Sequence, residues 1–208
     1  MANKYENMPI NVEYLRNIQL LIESLSFEDK ISSMNFYRRA HNEIQRKCAD
    51  FDFNSYCAMA ATMAPGLEFS KAMEYVDNII EELRNGIEVS NLTLYGAYGW
   101  HNIKQAAQIF SCGADFLSGQ KTIHLYNCLV NPRNKQFVPV GSRELRGMRQ
   151  HYTSPDEQFR ISKYEYPWLV RHFQIVGEQL NLLPNEIQSC VNFAVTKTMD
   201  LKILTADN

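Results

Sequence analysis

Apolar residues recur at three- and four-residue spacing along almost the whole chain. In NVEYLRNIQLLIESL, the positions Val12, Leu15, Ile18, Leu21, Ile22 and Leu25 form one stripe, as in a helix that buries a single face. Ser26 follows where a hydroxyl can cap free backbone N–H groups, and Asp29 sits in the first turn after it. The spacing through Ile31, Met34, Tyr37, Arg38 and His41 predicts one continuous second helix toward Cys48. An alanine-rich helix over 56–64 is stopped by Pro65-Gly66, and a helix over 67–83 by Asn85-Gly86. Further helices are predicted over 100–110, 125–130, 141–152, 164–180 and 184–198, with Pro184 at a first helical position. QFVPV alternates like a strand, but Pro139 lacks an N–H and makes an extended connector the better reading. Ser154 in the polar loop TSPDEQ is a cap candidate. The predicted fold class is all-α, a compact multi-helix domain.

With 208 residues, 45% of them hydrophobic, the chain can bury one core as a single domain over 1–208, or as two lobes of about 1–98 and 99–208 sharing an interface. Five cysteines at wide spacing, with no CxxC pair, suggest neither a disulfide framework nor a zinc site, and no metal or cofactor is expected. No apolar run approaches the roughly 20 residues that span a bilayer, and the N-terminus lacks a basic segment followed by an apolar one. No membrane partner and a cytoplasmic location are therefore expected.

The formal net charge of −2 argues against bulk electrostatic attraction to nucleic acid, but the charge is uneven. Residues 1–99 carry 9 basic and 14 acidic side chains. From 100 to 151 the basic residues are Lys104, Lys121, Arg133, Lys135, Arg143, Arg146 and Arg149, and only Asp115 and Glu144 oppose them. This strip is either an ordinary solvated basic face or a contact surface for phosphates. Arg143, Arg146 and Arg149, at three-residue spacing, are expected near one side of a short helix.

Within the strip, FLSGQKT places a glycine between two helices. Such a glycine allows a tight turn and lets a phosphate approach the N–H groups of the following helix, where Lys121 and Thr122 would add a cation and a hydroxyl. Taken alone, the same residues also suit a simple interhelical turn.

The run FLSGQKTIHLYNCLVNPRNKQFVPVGSRELRG resembles the hairpin and catalytic-loop region of the helix-hairpin-helix DNA glycosylases. The order of FYRRAHNEIQRKCA, YCAMAATMAPGLEFSKAMEYV, NIKQAAQIF, FLSGQKT and LNLLPNEIQSCVNFAV, over about residues 34–197, is similar to small phage-encoded relatives of that superfamily. The resemblance implies a glycosylase-like helix-hairpin-helix fold, DNA as partner, and a bacterial host cytoplasm as location. It places Leu117, Gly119, Lys121 and Thr122 on hairpin positions, without the usual second glycine, and Lys121 on the position of a Schiff-base lysine. The catalytic aspartate should stand at the end of VPVG, where this chain has Gly141; the nearest carboxylates are Asp115 and Glu144. The four-cysteine iron-sulfur motif of some members is missing.

A buried carboxylate offsets the positive charge that develops on the sugar during glycosidic cleavage, and a lysine attacks only when deprotonated. Gly119, Lys121, Thr122, Arg143, Arg146 and Arg149 are accordingly expected to bind nucleic acid, with conventional base excision absent. A second expectation is a protein-binding module that inhibits a host or defence protein, suggested by the acidic overall balance. A third is an enzyme of altered chemistry on a modified base or nucleotide, using Lys121, Asp115 or Glu144. Tyr95, Tyr98 and Trp100 could stack a base but suit a core patch better, and Gln188 and Asn192, one turn apart in an apolar helix, need buried partners.

Overall fold

Side-chain caps set several helix starts in this chain. In the computed structural model, which describes residues 8–48, 50–94, 99–151 and 160–206 (side chains to 200), Asn11, Ser26 and Asp52 each accept hydrogen bonds from backbone N–H groups of the helices they precede. The described residues form ten α-helices and no strand: α1 Val12–Glu23, α2 Phe27–Met34, α3 Phe36–Lys47, α4 Phe53–Met63, α5 Phe69–Arg84, α6 Trp100–Cys112, α7 Gln120–Val130, α8 Ser142–Arg149, α9 Tyr166–Leu180 and α10 Pro184–Ala206. No described helix is long and apolar enough to cross a membrane. The all-α expectation is met. Tyr95, Tyr98 and Ser154 lie outside the described residues.

The expected continuous second helix is instead two, α2 and α3, separated at Asn35. Asn35 has φ −84° and ψ 1°, and its amide donates to the Ile31 carbonyl at 2.9 Å. That local bond competes with the helical ladder, and the apolar spacing continues across the break undisturbed.

The chain divides into two compact units, one made of residues 1–39 and 131–208, the other of residues 40–130. In the first unit α10 is the hub, packed by α1, α2, α8 and α9. Its core includes Ile18, Val138, Leu145, Leu169, Phe173, Ile187 and Val191. Gly147 lets α8 approach closely: a Cβ there would meet Leu21 Cδ1 and Val195 Cγ2 at 2.8 Å. The connector around Pro139 is held by one phenol, since Tyr166 Oη accepts from the Val140 N–H and donates to the Val138 carbonyl, both at 3.0 Å. These bonds pair backbone groups that no strand partner satisfies.

In the second unit the hub is α4, whose residues Ser55 to Met63 are all buried. Alanines at 58, 60 and 61 let α5, α6 and α7 pack around it. The helices α6 and α7 that flank FLSGQKT both use α4 as their main partner and make little direct contact with each other.

Candidate functional site

The hairpin joins α6 to α7 through Gly113, a 3-10 turn over Ala114–Phe116, and Leu117 to Gly119. Gln105 of α6 holds it in place, its amide donating to the Phe116 carbonyl at 3.1 Å and to Ser118 Oγ at 2.6 Å. Gly119 has φ +86°, a left-handed backbone that L side chains rarely adopt, which accounts for glycine here. The residues Ser118 to Lys121 are exposed and Thr122 is half-buried. Gly119 has no side chain to cap α7, and the first N–H groups of a helix carry partial positive charge. No described residue forms an ion pair with Lys121. Asp115 is also exposed, while Phe116 is 50% exposed at the same turn. At the other end of α6, Trp100 is 46% exposed, with the Lys104 ammonium 4.4 Å from its ring centre and the His101 ring 3.8 Å from it.

The three arginines of α8 differ in exposure. Gly119, Lys121 and Thr122 belong to the unit of residues 40–130, whereas Arg143, Arg146 and Arg149 belong to the other. On α8, Arg143 is exposed, but Arg146 is only 3% exposed, enclosed where no phosphate reaches its guanidinium. Arg149 is exposed and already engaged, its Nε donating to Tyr14 Oη at 3.1 Å and its guanidinium 3.7 Å from the Glu165 carboxylate.

Glu144 lies in the interior of the first unit. It is fully buried; one carboxylate oxygen accepts from the Gly141 N–H at 2.7 Å, and the other accepts from the amides of Gln188 and Asn192, both at 2.6 Å. Tyr37 donates to Gln188 Oε1 at 2.6 Å and extends the network to the start of α3. Gln188 and Asn192 thus find their partner in a carboxylate. With three donors converging on it, Glu144 locks α8 to α10 and is not presented to any substrate. The Gly141 position carries no carboxylate, and the turn there is closed by Glu144.

A cleft of about 340 Å³ that the sequence pattern did not reveal opens in the second unit, between the end of α3, the segment before α4, and α5. Tyr56, 1% exposed, donates to one oxygen of Asp77, and Lys47 pairs with the other. Burial first, and then the Asp77 carboxylate, push the Tyr56 phenol far above its usual range and keep it a donor. Arg84 donates to the Asp50 carbonyl at 2.6 Å and lies over the Phe51 ring at 5.8 Å. Phe51 in turn stacks on Phe110, with ring centres 5.6 Å apart and planes 10° apart. The only sequence signal for this cleft is the polar stripe Asp77, Glu81, Arg84 on α5, which by itself reads as a solvated helix face.

Among the described residues no group of three or more His, Cys, Asp or Glu is placed to hold a metal ion. No family model, no curated protein and no solved structure matches this chain.

Proposed function

We propose that the chain binds DNA through the hairpin between α6 and α7, as a helix-hairpin-helix-like protein without conventional base excision. The observation that carries this reading is the turn at Gly119: exposed, left-handed, bare of a side chain at the start of α7, and followed by Lys121, with which no described carboxylate pairs. A backbone phosphate matches such a turn, because N–H groups and an ammonium can meet it together. The lack of excision is supported by Gly141 and by the enclosure of Glu144, which leave the exposed Asp115 as the one carboxylate near the hairpin in sequence.

The test is fluorescence anisotropy with short duplex and single-stranded DNA at fixed salt. Lys121→Ala is expected to lower affinity by about three- to tenfold, as for loss of one phosphate contact, with helical circular dichroism unchanged. Equal affinity of variant and parent would remove the hairpin from the site.

A protein-binding role is the second reading, favoured by the charge of the hairpin's own unit. Residues 40–130 carry six Lys and Arg against ten Asp and Glu. A chain that binds no DNA and retains one specific bacterial protein from lysate, by a contact that Lys121→Ala leaves intact, would select this reading.

A further inference from the structure

The cleft of the second unit is distant in sequence from the hairpin and plays no part in the DNA-binding reading. Its charged groups differ in how far they are already committed. Both oxygens of Asp77 are taken, by Tyr56 and Lys47, so the buried phenol and the partly exposed carboxylate act together to fix the lysine at the cleft wall. Two of the three hydrogens of the Lys47 ammonium remain to donate. Arg84 is held by the Asp50 carbonyl through one terminal nitrogen and braced on Phe51, which leaves its other guanidinium nitrogens as donors. The carboxylates of Asp50 and Glu81 line the same cleft, and no described group bonds to either of them.

The uncommitted groups are therefore of both signs. With Lys47 and Asp77 neutralising each other, Arg84 stands against Asp50 and Glu81, and the balance is one negative charge. A phosphate or a dicarboxylate would face two carboxylates, and a bare metal ion would face two cations. A molecule with one carboxylate and two ammonium groups balances the site: the carboxylate toward Arg84 and Lys47, the ammonium groups toward Asp50 and Glu81. Ile80, 7% exposed, and the Phe51 ring give a methylene chain an apolar wall between them. A volume of about 340 Å³ falls at the small end of ligand sites, suited to a single amino acid.

We propose that this cleft binds a free α-amino acid with a basic side chain. The contacts are partly open to water, and solvent-screened ion pairs are individually weak, so the dissociation constant is on the order of 1 mM.

The experiment is a heteronuclear NMR titration of the full chain with three probes of matched length. L-Lysine carries both ammonium groups and the carboxylate, cadaverine lacks the carboxylate, and L-norleucine lacks the side-chain ammonium. L-Lysine is expected to give saturable shifts in the backbone amides of residues 47–51 and 77–85. Cadaverine and L-norleucine are each expected to bind about tenfold more weakly, about one lost contact each. Arg84→Gln should bring L-lysine down to the affinity of cadaverine, and Glu81→Gln down to that of L-norleucine, with the spectrum otherwise unchanged. Cadaverine binding as tightly as L-lysine, unchanged L-lysine affinity in both variants, or no saturable shift with L-lysine would each overturn the proposal. None of these outcomes depends on whether DNA binds the hairpin, because Lys121 lies outside the cleft.

Discussion

Glu144 shows how one residue can satisfy a local rule and a long-range one together. As the third residue of α8 it accepts the Gly141 N–H, the geometry of a helix-start carboxylate, while its second oxygen reaches the Gln188 and Asn192 amides of α10. Glu144→Ala leaves three donors without an acceptor inside the first unit and is expected to cost about 3–5 kcal/mol, read as a lowered midpoint in urea unfolding; Glu144→Gln, which keeps one acceptor, should cost less. His172 supports a pH prediction in the same unit. Its Nδ1 meets the Trp168 carbonyl at 2.9 Å and its Nε2 accepts from the Asn11 N–H at 3.1 Å, so the folded ring is neutral with the proton on Nδ1. Burial holds its pKa below the usual histidine range. The unfolded chain therefore takes up a proton first as pH falls below about 6.5. The stability tied to the neutral ring is complete above that pH and is lost as pH falls through the lowered folded value. Thermal unfolding from pH 7.5 to 5 should show this loss, and His172→Gln should flatten the dependence; an equally steep variant would assign it to other groups.

The periodic pattern makes the helices legible because each buries one stripe, and the stops at Pro65-Gly66 and Asn85-Gly86 are backbone chemistry readable in place. Asn35 escaped because the break comes from its own side chain bonding Ile31, with the stripe intact on both sides. The arginines of α8 escaped for a geometric reason. Three residues fall about 60° short of a full helical turn, so Arg143 and Arg149 diverge around the axis, and the intervening Glu144 to Met148 are all buried. A short helix enclosed on most sides does not display a basic stripe, whatever its composition. Gly147 contributes to that enclosure: Gly147→Ala forces the added Cβ against Leu21 and Val195 and is expected to destabilise by about 1–3 kcal/mol. A melting temperature equal to that of the parent would mean that α8 is not wedged between α1 and α10. The cleft was illegible because Lys47, Asp50, Tyr56 and Arg84 are brought together from separate segments, which no local spacing announces.

Across the whole molecule, the two units differ in charge as well as in core. The first holds the buried carboxylate network around α10, and the second holds the hairpin and the cleft around α4. The glycosylase-like expectation places a catalytic carboxylate at Gly141, where this chain has none, and the nearby Glu144 is enclosed and fully bonded. Single-turnover incubation with DNA containing uracil, hypoxanthine or alkylated purines, followed by alkali, is therefore expected to give no strand cleavage, and borohydride is expected to trap no adduct. An adduct abolished by Lys121→Ala would instead establish the lysine as a nucleophile. The central claim, that the Gly119 turn and Lys121 meet a DNA phosphate, is tested most directly by the salt dependence of DNA affinity in the parent and in Lys121→Ala. Each phosphate neutralised contributes a slope of about −0.9 in log affinity against log salt on duplex DNA. The parent is expected to show a clear negative slope, and Lys121→Ala to be flatter by about 0.9; a parent slope near zero, or identical slopes for the two proteins, would contradict the account.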